Sequence, residues 1–529
     1  MPDDVTEWFL SAAERGNDVT ELSPWSDGNL CTPLIHGAAY FRRLVECVGK
    51  AGEGDQVFFT DWRGDPDERL TDDGPTVAGL LTAASRRGVC VRGLVWRSHI
   101  DAMQFSGHEN RALDREVEAS GGQVVLDQRV RRSGSHHQKL VVVRCPQAPD
   151  NDVAFVGGID LCHSRRDDAE HRGDPQVVRM ARVYGPTPPW HDAQLEIRGP
   201  AVADLETVFR ERWNDPVNAD VDNPIARVLD RLRHSRLTPT ELPPQALPPP
   251  AAGRHRVQAL RTYPSLRPRY RFAPDGERSI ARGYSKAVGR ATRLVYIEDQ
   301  YLWSTDVGRR FANALREHPS LHLVAVVPRH PDQDGRMVGV PNRLGQADAL
   351  RRCREAGGDR VHVFDLENAA GTPIYVHAKA CVVDDTWATV GSDNLNRRSW
   401  THDSELTCAV LDPQPDEREP ADPRGDGTRA RVFARDLRLR LVREHLDRAD
   451  GDDNDLVDTG ACVAAMDAAA GALDAWYAGG CVGVKPPGRL RRHQAEPVHR
   501  VARLWAVPFY RWVHDPDGRP LRLRWSGRY

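Results

Sequence analysis

The amino-acid sequence predicts an α/β fold laid down twice along one chain, and three repeated features predict it. The first is a pair of apolar runs rich in β-branched and aromatic residues, Val57-Phe58-Phe59-Thr60-Asp61-Trp62 and Val295-Tyr296-Ile297-Glu298-Asp299-Gln300, each of the length and character of a buried strand. The second is a matched continuation of both runs. A helix-like stretch leads to another apolar run, Gly88 to Trp96 in one half and Leu321 to Val327 in the other, the strand-helix-strand order of a largely parallel sheet. The third is a chemically loaded pair of strands in each half. Ser135-His136-His137-Gln138-Lys139-Leu140-Val141-Val142-Val143 precedes Val153-Ala154-Phe155-Val156-Gly157-Gly158-Ile159-Asp160, and Tyr375-Val376-His377-Ala378-Lys379-Ala380-Cys381-Val382-Val383-Asp384 precedes Ala388-Thr389-Val390-Gly391-Ser392-Asp393-Asn394. The first copy is longer between its strands, with an insertion placed at Arg144 to Pro149. Each half then has an acid opening a strand that ends at proline, Asp192 before Pro200 and Glu405 before Pro413.

A chain of 529 residues accommodates two to four domains, or one large duplicated fold, at roughly 100–200 residues per domain. With 40% hydrophobic and 28% charged residues it reads as globular, which excludes collagen-like, wholly disordered and disulfide-scaffold classes. Lys plus Arg number 73 against 76 Asp plus Glu, so no global field recruits nucleic acid or anionic lipid. The ten cysteines show no CxxC or zinc-like pairing and read as buried thiols. No secretory pattern opens the chain, and the most apolar stretch, Ala461 to Val484, is interrupted by Asp467 and Asp474. A cytoplasmic protein with at most peripheral membrane contact is expected.

Composition divides the chain into an N-terminal extension (1–28), a first lobe (29–236), a Pro-rich spacer (237–253), a second lobe (254–450) and a C-terminal helix with an Arg- and Trp-rich tail (451–529). Pro239, Pro243, Pro244 and Pro248 to Pro250 suit the spacer to an extended, semi-rigid connection. Leu456 to Trp476 reads as a helix starting near Asp458 or Thr459, and Asp412 to Gly427 as a loop.

Histidine followed two residues later by lysine on an extended strand puts both side chains on one face, where they can hold one phosphate. One imidazole can attack phosphorus while a second, protonated, gives a proton to the departing oxygen; two copies supply both roles. Lys139 and Lys379 direct charge toward the nonbridging oxygens, and Asn394, with Asp160 or a nearby backbone amide in the other half, completes a cradle for the transition state. Gly157, Gly158 and Gly391 permit close backbone approach. Asp192 and Glu405 are assigned the task of fixing the imidazole tautomers. His136 turns to the opposite face, and Cys381 belongs to the core. A single His-x-Lys is a frequent accident of sequence, but the whole set repeated in matched order is not explained by packing.

The second copy, HAKACVVDDTWATVGSDNLNRRSW, resembles the HxKxxxxDxxxxxxG(G/S)xN signature of the phospholipase D superfamily throughout, and the first resembles it with the insertion. Arg144 stands where the motif's Asp falls counting forward from Lys139, while Asp150 keeps the motif's spacing counted back from Gly157. WHDAQLEIRGPA, VYIEDQYLW and SELTCAV add to the likeness, which runs from about Asn29 to about Leu446. The resemblance implies a bilobal α-β-α sandwich with one composite active site on a pseudo-twofold axis. It also implies a phosphohistidine intermediate with no metal or other cofactor required. His137 becomes the nucleophile, His377 the acid that later acts as base, and Asp384 the motif's acid. Lys139, Lys379, Asn394, Asp160, Gly157 and Ser392 line the phosphate.

Hydrolysis of a phosphatidylcholine-like glycerophospholipid to phosphatidic acid and free headgroup, with transphosphatidylation, is the function this implies for a chain expected to be monomeric. The aromatic tail from Leu504 to Trp512 suits either a lipid interface or the core. Alternatives within the superfamily are a nucleic-acid phosphodiesterase using Arg131-Arg132, Arg351-Arg352 and Arg491-Arg492, or cardiolipin synthesis; outside catalysis, an inactive phosphate- or lipid-binding homologue.

Overall fold

In the computed structural model, which describes residues 5–98, 106–215, 239–334, 336–495 and 500–529, the repeat becomes two sheets of one design. The first lobe supplies β1 (Ser26–Ile35), β2 (Gln56–Asp61), β3 (Cys90–Trp96), β4 (Gln123–Asp127), β5 (Leu140–Arg144), β6 (Val153–Gly157), β7 (Trp190–His191) and β8 (Ala193–Arg198). The second supplies β9 (His255–Tyr263), β10 (Glu277–Arg278), β11 (Leu294–Glu298), β12 (His322–Val326), β13 (Val361–Glu367), β14 (Pro373–Val376), β15 (Ala380–Val383), β16 (Trp387–Gly391) and β17 (Glu405–Leu411), and the tail adds β18 (Leu490–Arg492). One sheet runs β4-β3-β2-β5-β6-β8-β1, the other β13-β12-β11-β15-β16-β17-β9. Strand for strand the orders coincide.

Each sheet is mixed rather than largely parallel. The three strands joined through helices are parallel, and the four that carry the chemistry are antiparallel. Parallel neighbours need a crossover, whereas the short connection from β5 to β6 permits only a reversal. The sheets meet where β1 pairs antiparallel with β9, and β7 pairs parallel with β14 across the lobes.

Side-chain alternation builds the layers. Val57 and Phe59 on β2 pack into an outer core with helices Gly37–Lys50 and Val77–Arg86, whereas Phe58 faces the core shared by both lobes and stacks on Phe209 at 4.9 Å. On β11, Val295 and Ile297 face outward and Tyr296 faces the shared core. Full burial of one such side chain contributes about 2 kcal/mol, and because both faces are covered the strands read as unbroken apolar runs.

Residues 239–253 are extended and lie along the first lobe: Trp213 Nε1 donates to the Thr240 carbonyl at 2.8 Å, and Arg144 to the Ala246 and Leu247 carbonyls at 3.2 and 2.6 Å. Residues 237 and 238 of the expected spacer lie outside the described residues. Helix Thr459–Ala478 is capped by Asp458, whose carboxylate accepts from Ala461 N at 2.8 Å. The tail then lays β18 antiparallel against β13, packs Tyr510 against Trp303, and leaves Trp512 and Trp525 exposed at 79% and 86%. The cysteines are free thiols; Cys481, expected to be buried, is exposed. No helix among the described residues is long and apolar enough to cross a membrane.

Candidate active site

His137 and Lys139 immediately precede β5, and His377 and Lys379 immediately precede β15. The extended backbone at each motif is fixed by the other lobe. His137 N–H donates to the Ser404 carbonyl at 2.8 Å, and the N–H groups of His377 and Ala378 donate to the His191 carbonyl at 2.7 and 3.1 Å. Ser404 precedes Glu405 and His191 precedes Asp192, so each acid arrives beside the opposite imidazole. His137 Nδ1 lies 2.9 Å from Glu405 Oε2, and His377 Nδ1 lies 2.6 Å from Asp192 Oδ2. With Nδ1–H committed to a carboxylate, Nε2 of each ring is left for chemistry.

The lysines are buried with them. Lys139 Nζ pairs with Asp160 Oδ1 at 3.2 Å and donates to the His137 carbonyl at 3.1 Å; Lys379 Nζ donates to the His377 carbonyl and to Gln300 Oε1 at 3.4 Å. Burial, with Lys139 adding to it and Asp192 opposing it, pulls Lys379 down to about 8. Burial followed by the charges of Lys379 and Arg165 holds His377 well below the ordinary imidazole value, favouring a neutral ring in the free protein. Burial raises Asp61 far above the carboxylate range and the charge of Asp160 raises it further. Asp160 itself, although burial alone would raise it, is held below that range by Lys139 and by a hydrogen bond from Asp61. Burial and charge thus favour the neutral form of Asp61 and the charged form of Asp160 beside Lys139.

The site thus holds two histidine–lysine pairs, each histidine braced by an acid from the other half. The sequence model described as "Phospholipase D" matches residues 71–238 and 354–490, more than half of the chain. This chain belongs to the phospholipase D family. It is 25% identical to phospholipase D gamma 2 of Arabidopsis thaliana over 500 residues, covering 70% of this chain and 57% of that protein. It is also 25% identical to phospholipase D2 of Bos taurus over 536 residues, covering 81% and 55%. The chain spans little more than half the length of these curated relatives. Among solved structures, phosphatidylserine synthase of Haemophilus influenzae Rd KW20 is similar with a TM-score of 0.51 at 13% identity, covering 76% of this chain and 87% of that one, a likeness of fold.

Several phospholipase D motif positions are placed away from the imidazoles. Asp384, expected among the catalytic residues, occupies the far end of β15, where its carboxylate accepts from the backbone N–H groups of Thr292, Arg293 and Leu294 at 2.8–2.9 Å. Asp384 and Asp385 both have positive φ, 49° and 50°, in the tight β15–β16 turn. Arg144, in the corresponding place of the first motif, is buried and pairs with Asp152 at 2.8 Å and Glu206 at 2.5 Å. Asp150 is exposed in a short 3₁₀ turn, far from the role of motif acid. Ser392, expected to bind phosphate, donates to Glu405 Oε2 at 2.6 Å and accepts from Leu406 N at 3.0 Å, so it braces the acid behind His137. Gly157 is required by packing rather than phosphate: a Cβ there would come within 2.3 Å of Gln194 Oε1. A Cβ on Gly158 would meet Asp192 Oδ1 at 2.1 Å, so glycine admits the acid behind His377. Asn394 is buried with its Oδ1 lacking a hydrogen-bond partner among the described residues, available to a ligand.

Other residues of the site carry no role in the sequence reading. Asp61 and Asp299 sit at the C-terminal ends of β2 and β11 at matched places and accept from the N–H of Leu161 at 2.9 Å and Leu395 at 2.8 Å, fixing the turns that carry Asp160 and Asn394. Burial pushes Asp299 up to about 6. Their repetition in the two apolar runs is the signal that could have found them. Arg165 breaks the twofold pattern, since Ser399 stands at its counterpart. Its guanidinium lies 3.8 Å above the Trp190 ring and 3.7 Å from Asp160, and the Trp190 ring in turn packs on His377 at 4.8 Å. Its Nε is buried without a partner among the described residues.

Behind His377, His36 Nε2, His171 Nε2 and His191 Nδ1 approach Glu444 at 3.0, 3.2 and 3.5 Å, and Glu298 bridges His191 and His445 at 2.6 and 2.7 Å. These two groups are the donor sets among the described residues able to hold a metal ion. The sequence shows no metal ligand because widely separated segments contribute them. One arginine of each run is engaged within the protein: Arg131 donates to the Ser265 carbonyl, Arg351 pairs with Glu355 at the surface, and Arg491 with Asp474 and Glu367.

Proposed function

We propose that this protein hydrolyses a glycerophospholipid at the headgroup side of phosphorus, through a phosphohistidine, giving phosphatidic acid and a free alcohol. The observation that carries the reading is the pair of imidazoles, His377 buried and His137 partly exposed, each with Nδ1 held by a carboxylate from the opposite lobe and a lysine two residues away. His137 Nε2 attacks phosphorus as the bond to the headgroup oxygen breaks, and His377 Nε2–H gives that oxygen its proton. His377 then takes a proton from water, whose oxygen bonds to phosphorus as the bond to His137 breaks. An alcohol in place of water gives transphosphatidylation.

A bound phosphodiester anion offsets the charges of Lys139, Lys379 and Arg165, the field that keeps His377 neutral, and so favours the imidazolium when the leaving group needs it. The relatives named phospholipase D support the same chemistry. Contact with lipid would be peripheral, through exposed Trp512 and Trp525, and would fall in vesicle sedimentation when both are changed to Ala.

The test is mixed-micelle phosphatidylcholine with ethanol present, following choline, phosphatidic acid and phosphatidylethanol by mass spectrometry. Wild type is expected to give all three, and His137→Ala and His377→Ala none. Near-normal turnover by either folded variant would sink the two-histidine mechanism.

A further inference from the structure

Four side chains from segments far apart in the chain converge behind His377. His36 follows β1, His171 lies between β6 and β7, His191 ends β7, and Glu444 stands on the second lobe's helix Val432–His445. Their donor atoms all lie within 4.8 Å of one another. Glu444 Oε1 is 3.0 Å from His36 Nε2, 3.2 Å from His171 Nε2 and 3.5 Å from His191 Nδ1. These distances bracket the edge, about 3.3 Å, of a tetrahedron whose ligands stand about 2.0–2.1 Å from its centre. The neighbouring contacts of Glu298 with His191 and His445, at 2.6 and 2.7 Å, are shorter and are those of hydrogen bonds.

Counting hydrogen-bond donors shows what the four groups lack. The Trp190 carbonyl, 3.1 Å from His171 Nδ1, can only accept, so that nitrogen carries the proton. Glu298, which also accepts from the Tyr296 hydroxyl, claims the proton of His191 Nε2 in the same way at 2.6 Å. A neutral imidazole has one N–H, so His171 Nε2 and His191 Nδ1 both present bare lone pairs to a carboxylate oxygen. His191 Nδ1 is buried and makes no hydrogen bond among the described residues. Lone pairs set against a carboxylate repel unless a cation stands between them. The carbonyl behind His171 and the carboxylate behind His191 are the kinds of outer partner that fix the tautomer of metal-bound histidines. His36 and His171 also hold positive φ, 69° and 52°, which is uncommon for a residue with a side chain.

We propose that His36, His171, His191 and Glu444 bind one zinc ion that fastens the first lobe to the helix of the second. Three imidazoles and one carboxylate make a four-coordinate set of the ligand types zinc takes, with no position left for substrate. Glu444, with 14% of its side chain exposed, gives the ion a way in. The ion reaches the active site through the backbone. The His191 carbonyl accepts from the N–H groups of His377 and Ala378, and the residue after it, Asp192, braces the His377 ring. Zinc here is a positioning group and takes no part in the transfer at phosphorus. The inference goes beyond the phospholipase D reading, because binding of the ion does not depend on which phosphodiester is cleaved.

The experiment strips wild-type protein of metal with a chelator, removes the chelator, and titrates with zinc chloride, reading bound metal by mass spectrometry and the thermal unfolding midpoint. Cobalt(II) chloride serves as a spectroscopic probe of the same site. Uptake of one zinc per chain is expected, with a higher midpoint. Cobalt is expected to show the intense visible bands of a four-coordinate ion without the near-ultraviolet band of a thiolate ligand. His36→Ala and Glu444→Gln each remove one ligand and are expected to weaken zinc binding at least about a hundredfold, more than loss of an outer partner does. Circular dichroism checks that each variant is folded. No zinc taken up by wild type, six-coordinate cobalt bands, a thiolate band, or unchanged zinc affinity in both folded variants would overturn the site. Should neither variant fold, the wild-type stoichiometry and cobalt spectrum decide it. None of these readouts uses lipid turnover, so failure of the zinc site would leave the phospholipase D reading standing.

Discussion

Nδ1 of His137, in the first lobe, lies 2.9 Å from a carboxylate oxygen of Glu405, in the second, and the pseudo-twofold axis repeats the relationship with His377 and Asp192 at 2.6 Å. Neither of these two pairs is complete within one lobe. The backbone makes the same exchange, because the carbonyl before each acid receives the N–H of the opposite histidine. The reacting geometry therefore exists only when the lobes are closed on one another.

Removing the charge of either acid should damage catalysis without unfolding the protein. Glu405→Gln and Asp192→Asn keep the shape but no longer stabilise an imidazolium, and either amide can impose the wrong tautomer. Each is expected to lower kcat by a factor on the order of 10²–10⁴ with little change in KM. Steady-state kinetics beside a denaturant unfolding curve checks this; loss of the folded state in step with activity would count against an orienting role.

The pH dependence turns on Lys379, pulled down to about 8 by burial. A lysine is cationic below its pKa, so the phosphate-binding charge is largely present at neutral pH and is lost as pH rises through about 8. A plot of kcat/KM against pH should show an alkaline limb near that value. Lys379→Arg, which stays charged at every accessible pH, should lose that limb even if its absolute rate is lower. A limb unmoved in the variant would assign it to another group.

Arg144 and Asp384 should behave as structural residues. Arg144→Ala leaves Asp152 buried without its cation and Glu206 paired with Arg210 alone, a change expected to cost about 3 kcal/mol. Asp384→Ala strips the acceptor from three backbone N–H groups at the start of β11 and is expected to cost at least about 2 kcal/mol. Urea titration should show both losses, while activity per folded molecule at low temperature stays near wild type. Abolished turnover in folded Asp384→Ala would return that residue to the catalytic set.

The family, the duplication and the histidine–lysine pairs were legible because they are local. A strand covered on both faces must be an unbroken apolar run, as β2 and β11 are, and His-x-Lys needs only its own spacing. Arg144 was not interpretable in that way. In the fold it makes a strand-to-helix ion lock to Glu206, whereas its counterpart Asp384 accepts from backbone N–H groups and the next residue, Asp385, makes the lock to the helix through Arg435 and Arg438 at 3.0 and 2.6 Å, a difference that sequence spacing does not reveal. Ser392 and Gly158 likewise hold equivalent motif places for different steric reasons, one bracing Glu405 and the other making room for Asp192.

The α/β repeat, the family and the residues that hold the reacting nitrogens and ammonium charges can all be read along the chain without coordinates. Folding in three dimensions was needed to decide which acid serves which imidazole, that Asp384 anchors a turn, and that Arg165 joins one side of a near-symmetric pocket. The division has one physical cause. Hydrophobic periodicity and motif spacing act within a strand or turn, whereas proton affinity and orientation depend on burial and on charges brought within a few ångströms by lobes that are far apart along the chain.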